Sequence, residues 1–376
     1  MAVKRGRITL SGVIGLVCAT LLTSPGTAYA QTTDDHPATL AALRTFQAAA
    51  GPGAAVHAGA AGDTWTLSAG TGTLGSNRPI QQDEHFLIGS QTKSFTAAVV
   101  LQLVDEGEVS LDAPVEQYLP GVVTGNGYDG TRITVRHLLQ HTSGIAAYNP
   151  RPNLSAPPVN ADGSYDLREV VRKGLSFAAV SAPGASSTYS NTNYLILGML
   201  IEAVTRTPVR EAVTARIIEP LGLSSTSFPA AGDDTVPEPS VIGYTGVRFN
   251  GLFVGTKADI WDPSLYSSAA AMISTLEDVT TFYQALLAGE IVSSASLSDM
   301  LDDGGFGYGL GLAPKQLTCG GTAWGHDGAL PGYSTATAVT TDGRHASLVT
   351  NAHFAVNTPT EQMKTLLDTA LCESRP

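Results

Sequence analysis

Runs of β-prone residues stand at both ends of this chain with helix-patterned sequence between them, and that distribution limits the fold more than any other feature. "GAAVHAGA" (53–60) and "DTWTLSAG" (63–70) flank a turn at Gly62 and Asp63. "GTAWGHDG", "STATAVTT" and "HASLVTNA" follow only beyond residue 320. Strands so far apart share a sheet when the intervening chain leaves and returns. The expected architecture is therefore one antiparallel sheet built from both ends, of the α+β kind within the α/β class, flanked by helices and carrying an inserted, mainly helical lobe over about 111–223.

Residues 37–49 and 360–371 read as helices next to the strands. In the lobe, "VRHLLQHT", "LREVVRKGLSF", "NYLILGMLIEAVT" and "VREAVTARIIEPL" carry apolar residues at helical spacing. "AAYNPRPNLSAPPVNADGSYD" is too rich in Pro and Asn for a helix and reads as a surface loop. A second irregular stretch is expected from Pro229 to about Pro263, and a helix from Leu276 to Ala288.

Residues 1–30 read as an export leader: Lys4, Arg5 and Arg7, an apolar run from Ile8 to Leu22, then Ala28-Tyr29-Ala30 as a small-x-small cleavage site. The expected mature domain is 31–376, secreted, with no stable membrane anchor and monomeric. The formal net charge is −12, more negative still without the leader, which argues against nucleic acid as a partner. Of three cysteines, Cys18 falls in the leader, leaving Cys319 and Cys372 as a disulfide pair in an oxidising compartment, with two buried thiols as the other reading. So few cysteines exclude a cysteine-based zinc site.

"FLIGSQTKSFTAAVVLQLVDEGE" (86–108) reads as an apolar helix stopping at Gly107, with Ser90 at its head and Lys93 one turn on. Of the six lysines, only Lys93 has a serine three residues before it. A serine hydroxyl needs a base to become a nucleophile, and a lysine serves only when neutral, which burial favours. The helix start adds backbone N–H groups for a developing oxyanion. The plain alternative is a capping serine with a snorkelling lysine.

Two further triplets decide between these readings. Tyr189-Ser190-Asn191, the one Tyr-x-Asn in the chain, precedes a predicted helix, and His326-Asp327-Gly328 lies on a predicted strand; His57-Ala58-Gly59 matches the latter pattern but not its position. With these, "GSQTKSFTAAVVLQLVDEGEVSLDAPVEQYLPG", "ITVRHLLQHTSGI", "YSNTNYLILGMLIEAVT", "GYGLGL" and "GHDGALPGYS" make the chain resemble the penicillin-recognising serine hydrolases, the group of secreted D-alanyl-D-alanine carboxypeptidases, class C β-lactamases, D-aminopeptidases and related esterases. The resemblance implies a β-lactamase/transpeptidase-like fold and an acyl-serine hydrolase of D-amino-acid-containing peptides, carboxypeptidase-like. The alternatives are a D-aminopeptidase or amidase, an esterase, a β-lactamase, or a non-hydrolytic penicillin-binding module.

The resemblance further implies that Ser90 is acylated, that Lys93 and Tyr189 share the proton transfers, and that Asn191 orients Lys93 and the substrate amide. His326 and Gly328 would line the opposite wall, and the N–H groups of Ser90 and Ala329 would form the oxyanion hole. Such a cycle takes a small peptide or peptidoglycan-like substrate, is open to acylation by β-lactams and needs no metal or organic cofactor. One departure stands out: the carboxypeptidases usually have Thr where this chain has Asp327, and Arg at the position of Ala313. An Asp327 facing the cleft would repel a free carboxylate and favour an amine, amide or ester, whereas strand alternation from His326 aims it away.

Trp261 and Tyr148, in irregular segments, are candidates for lining the substrate pocket or else cover local core. His137 and His141 have i, i+4 spacing but lack the glutamate of a zinc-protease helix, so they read as structural. Gly309 and Gly311 read as close-packing strand glycines.

Overall fold

The computed structural model describes residues 36–374 apart from 61, 153, 250 and 354–358. The leader expected over residues 1–30 lies outside the described residues. Helix α1 (Pro37–Ala49) starts on proline, which suits a first helical position, and buries Thr39, Leu43 and Phe46. Strands β1 (Gly53–Ala60) and β2 (Asp63–Gly70) form the expected hairpin. At the other end come β9 (Ala313–Gln316), β10 (Thr322–Leu330), β11 (Tyr333–Thr340), β12 (His345–Thr350) and α10 (Thr360–Glu373).

Among the described residues these six strands make one antiparallel sheet in the order β2-β1-β12-β11-β10-β9. Strands from the two ends of the described chain therefore meet inside the sheet, β1 beside β12. β1, β11 and β12 are buried on both faces, hence their runs of small and branched residues without alternation. On the outer face α1 and α10 cover a core of Leu43, Phe46, Val56, Ala336, Leu348 and Leu367. Cys319 and Cys372 are joined, tying the β9–β10 turn to α10 across 53 positions.

The inner face meets the larger core through α2 (Thr92–Asp105) and α8 (Leu276–Leu287). α2 is buried over most of its surface, as its nearly continuous apolar sequence requires, and stops before Gly107 at φ +77°. A short pair, β3 (Phe86–Leu87) with β8 (Ile273–Ser274), leads into the 3₁₀ turn Gly89–Gln91 that precedes α2. Between them lie the small β4 (Thr124–Gly125) and β5 (Tyr128–Asp129), then α3 (Val135–Leu139), α4 (Leu167–Gly174), α5 (Asn191–Thr205) and α6 (Val209–Val213).

Three expectations need correction. The stretch 229–263 holds a hairpin, β6 (Tyr244–Phe249) with β7 (Leu252–Lys257), paired as far as Phe249 with Leu252. Its exposed positions include the apolar Val247, Phe249, Leu252 and Val254, so the apolar-in, polar-out signal of a half-buried strand is missing from the sequence. The "VREAVTARIIEPL" helix changes after α6 into a π-helical turn, Thr214–Ile218. The "VRHLLQHT" helix ends at Leu139, and His141 turns left-handed at φ +60°, so His137 and His141 share no helix face. α7 (Ser267–Ala270) and α9 (Ser294–Met300) were not anticipated. No helix of the described residues is long and apolar enough to cross a membrane.

Candidate active site

Ser90 sits in the 3₁₀ turn ahead of α2, half-buried, and Lys93 lies in the first turn of that helix with no exposed surface. Gly89 makes the approach: its φ is +57°, and a β-carbon there would lie 2.6 Å from Ala329 N. On the strand side, a β-carbon at Gly328 would lie 1.9 Å from Ile88 O. Two glycines thus let the backbone at Gly89-Ser90 abut that at Gly328-Ala329, which places the two expected oxyanion donors side by side.

Lys93 Nζ lies 3.1 Å from Ser90 Oγ, 2.7 Å from Asn191 Oδ1 and 2.8 Å from Ala269 O. Asn191 opens α5, and Ala269 belongs to α7, a helix too short to satisfy its own carbonyls. Among the described residues no carboxylate is bonded to the amine, and burial holds its pKa well below the ordinary lysine value. A neutral amine has two N–H bonds and one lone pair. Asn191 Oδ1 and Ala269 O can only accept, so both N–H bonds go to them. The lone pair is left for Ser90, whose hydroxyl can donate to it. That is the arrangement of a base on a nucleophile.

Asn191 is itself held: its Nδ2 donates to Asn149 Oδ1 at 2.7 Å. Tyr189 stands beside Lys93, whose Nζ is 4.9 Å from the ring centroid. The ring is 42% exposed and borders the cleft. Loss of solvent raises the Tyr189 pKa, and a hydrogen bond with Ser90 pulls the other way, so the phenol stays protonated at neutral pH and can donate.

His326 forms the facing wall, its ring centroid 6.1 Å from that of Tyr189. Its Nδ1 donates to Asp327 O, so Nε2 is the acceptor and takes the Tyr308 hydroxyl at 2.9 Å. Burial lowers its pKa to about 4, so the imidazole is neutral.

Asp327 does not join this wall. It pairs across the sheet with Ala336, which packs in the outer core, and its Oδ1 accepts from Lys315 Nζ at 2.8 Å. Strand alternation sends His326 inward and Asp327 outward. Its expected contact with substrate is corrected accordingly, and the repulsion of a carboxylate does not follow. Trp261 is partly buried, stacks on Tyr266 with centroids 6.0 Å apart, and lines a crevice with Leu87, Ala270 and Leu330, neighbours of the reactive segments. Tyr148 is buried, its hydroxyl bonded to Ser155 O at 2.6 Å, and serves local packing. Gly309 and Gly311 lie outside strands; a β-carbon at Gly311 would be 2.5 Å from Ala97 Cβ, so the close packing holds without the strand.

His137 accepts from Thr134 N in the cap of α3, whereas His141 lies against Tyr189. Among the described residues no three His, Cys, Asp or Glu side chains converge as a metal site would require. Asn149, Tyr308, Ala269 and Lys315 are the site neighbours that sequence reasoning missed. Tyr308 lay inside a quoted block read for its glycines, and Asn149 in a loop read as surface; neither carries a spacing that singles it out.

The family model described as Beta-lactamase matches residues 41–365. Penicillin-binding protein 4 of Amycolatopsis lactamdurans is 30% identical over 339 residues, 84% of this chain and 85% of that protein. Esterase EstB of Burkholderia gladioli is 29% identical over 280 residues, 64% of this chain and 69% of its own. A solved D-stereospecific amidohydrolase from Streptomyces sp. is 37% identical, with a TM-score of 0.78 and coverage of 91% of this chain and 100% of its own.

Proposed function

This chain belongs to the beta-lactamase family of serine hydrolases, and from that premise we propose that it hydrolyses amides of D-amino acids and of short D-residue peptides through an acyl-serine intermediate. The observation that carries the substrate class is the charge of the wall facing Tyr189. His326 is neutral, Ala313 is uncharged, and the Lys315 ammonium is bonded to Asp327 on the other side of the sheet. A substrate ending in a free carboxylate meets no cation of the described residues on that wall, whereas an amide or ester needs none. The 37% identical D-stereospecific amidohydrolase supports the D-configuration.

In the proposed cycle Ser90 Oγ attacks the amide carbon as its proton passes to Lys93. The N–H groups of Ser90 and Ala329 stabilise the oxyanion. Tyr189 donates its proton to the departing amine and is reprotonated from Lys93, so the C–N bond breaks and a neutral amine leaves. Water then attacks the ester, giving its proton back through the same groups, and Ser90 is restored. Asn191 keeps the Lys93 lone pair on Ser90, and Trp261 borders the acyl side chain. Penicillins would acylate Ser90 in the same way. The pattern of residues 1–30 supports secretion, and we take the working form to be a monomer.

Carboxypeptidase action, which the resemblance of the sequence blocks implies, is the second reading, and likeness to a penicillin-binding protein is compatible with it. Intact-mass spectrometry with a fluorescent penicillin, beside Ser90→Ala, tests the nucleophile. A substrate panel tests the class: D- and L-phenylalanine amide, diacetyl-Lys-D-Ala-D-Ala, p-nitrophenyl acetate and nitrocefin. Fastest turnover of the D-amide is expected; faster turnover of the free-carboxylate peptide would replace this reading with the second.

A further inference from the structure

His141 is 1% exposed and grips the chain on both sides of Tyr189. Its backbone carbonyl accepts from Thr188 N at 2.9 Å, and its Nδ1 accepts from Ser190 N at 3.3 Å. Asn193 Nδ2, whose own Oδ1 is occupied by Ser143, approaches the same Nδ1 at 3.0 Å. Between the two backbone bonds the Tyr189 ring lies on the imidazole, with centroids 4.3 Å apart. Two donors converge on Nδ1, so the proton of the neutral ring is on Nε2, which has no hydrogen-bond partner among the described residues. A fold that merely needed filler here would not require an acceptor at the δ position, nor a non-glycine residue in the left-handed region at φ +60°.

We infer that His141 is the positioning residue for Tyr189, its carbonyl and δ nitrogen holding the peptide groups before and after the tyrosine while its ring sets the face on which the phenol rests. This rests on the reading of Ser90 and Tyr189 given above. Burial keeps the imidazole neutral, as the two incoming donors require.

The test is a double-mutant cycle on a D-amino acid amide, with thermal melts on every variant. His141→Phe keeps the ring and removes the acceptor. It is expected to lower kcat by about 10²-fold with little change in KM, the scale of a small misplacement of a reacting group. His141→Asn keeps an acceptor at the δ position on a residue that tolerates left-handed backbone, and is expected to recover kcat to within roughly tenfold of the parent. In the Tyr189→Phe background, His141→Phe is expected to cost no more than about twofold further. Losses that multiply in the double variant overturn the inference, as does His141→Asn falling as low as His141→Phe. If His141→Phe does not melt cooperatively, the same cycle is run with His141→Asn alone, where a loss that multiplies with Tyr189→Phe is the overturning result. A Tyr189→Phe enzyme as fast as the parent, or a penicillin adduct that survives Ser90→Ala, sinks the underlying reading together with this one.

Discussion

Lys93 and Asn191 are 98 positions apart in the chain, yet Nζ and Oδ1 stand 2.7 Å apart in a site where no carboxylate of the described residues touches the amine. The partner is an amide, which accepts a hydrogen bond without stabilising the charged form as an anion would. Asn191→Asp puts that anion in place and favours the ammonium. The acid limb of the kcat/KM profile is expected to move to higher pH, with at least about a tenfold loss at pH 7. An unmoved acid limb would remove Lys93 from the role of base.

Asp327 and Lys315 form a partly exposed ion pair, 40% and 20% accessible, on the outer face of the sheet. Such pairs contribute roughly 0–1 kcal/mol. Asp327→Asn is expected to change amide turnover by less than about threefold and stability by no more than that range. A large gain in hydrolysis of free-carboxylate peptides would show instead that Asp327 acts on the cleft.

Burial, and secondarily His345, lowers the His57 pKa from 6.5 to about 4. The unfolded chain takes up this proton below about pH 6.5 and the folded chain only below about 4, so in that window the unfolded state binds more protons. The contribution of His57 is whole above pH 6.5 and is lost as pH falls towards 4, by up to about 3 kcal/mol. Urea melts at pH 7.5 and 5.0 should show that fall, and His57→Gln should shrink it. Equal slopes in the two proteins would discard the assignment.

The Cys319–Cys372 bond closes a span of 53 positions between the β9–β10 turn and α10. Chain entropy alone puts its stabilisation at about 4 kcal/mol. Cys319→Ser with Cys372→Ser should melt well below the parent, and the parent in reductant should approach the double variant. The reactive groups are built from other segments, so the acylation rate below the melting transition should hold.

Gly89 is expected to tolerate no side chain. Gly89→Ala combines a positive φ with a β-carbon 2.6 Å from Ala329 N. The β10 backbone must retreat and widen the oxyanion site, with a loss in acylation of about 10²-fold or more. Parent-like acylation would show that the two N–H groups do not act together.

Local periodicity made much of this protein legible from its residues alone. Pro37–Ala49, the β1–β2 hairpin and α2 with its stop before Gly107 follow from apolar spacing and turn residues that act within a few positions, and the gathering of β-prone runs at the two chain ends pointed to their shared sheet. Ser90 and Lys93 share one turn, so their meeting was also local. Tertiary structure alone decided which partners those residues met. Asn149 reaches Asn191, Tyr308 reaches His326 and Ala269 reaches Lys93 from other segments of the chain. Asp327 was ambiguous because the answer lay in Ala336 and Lys315, which fix the face of β10 that it occupies. His141 looked like half of a helical pair until the helix ended before it and its imidazole turned to Tyr189. Spacing along a chain reports which residues can share an element, whereas the face they turn to one another is set by how the elements pack.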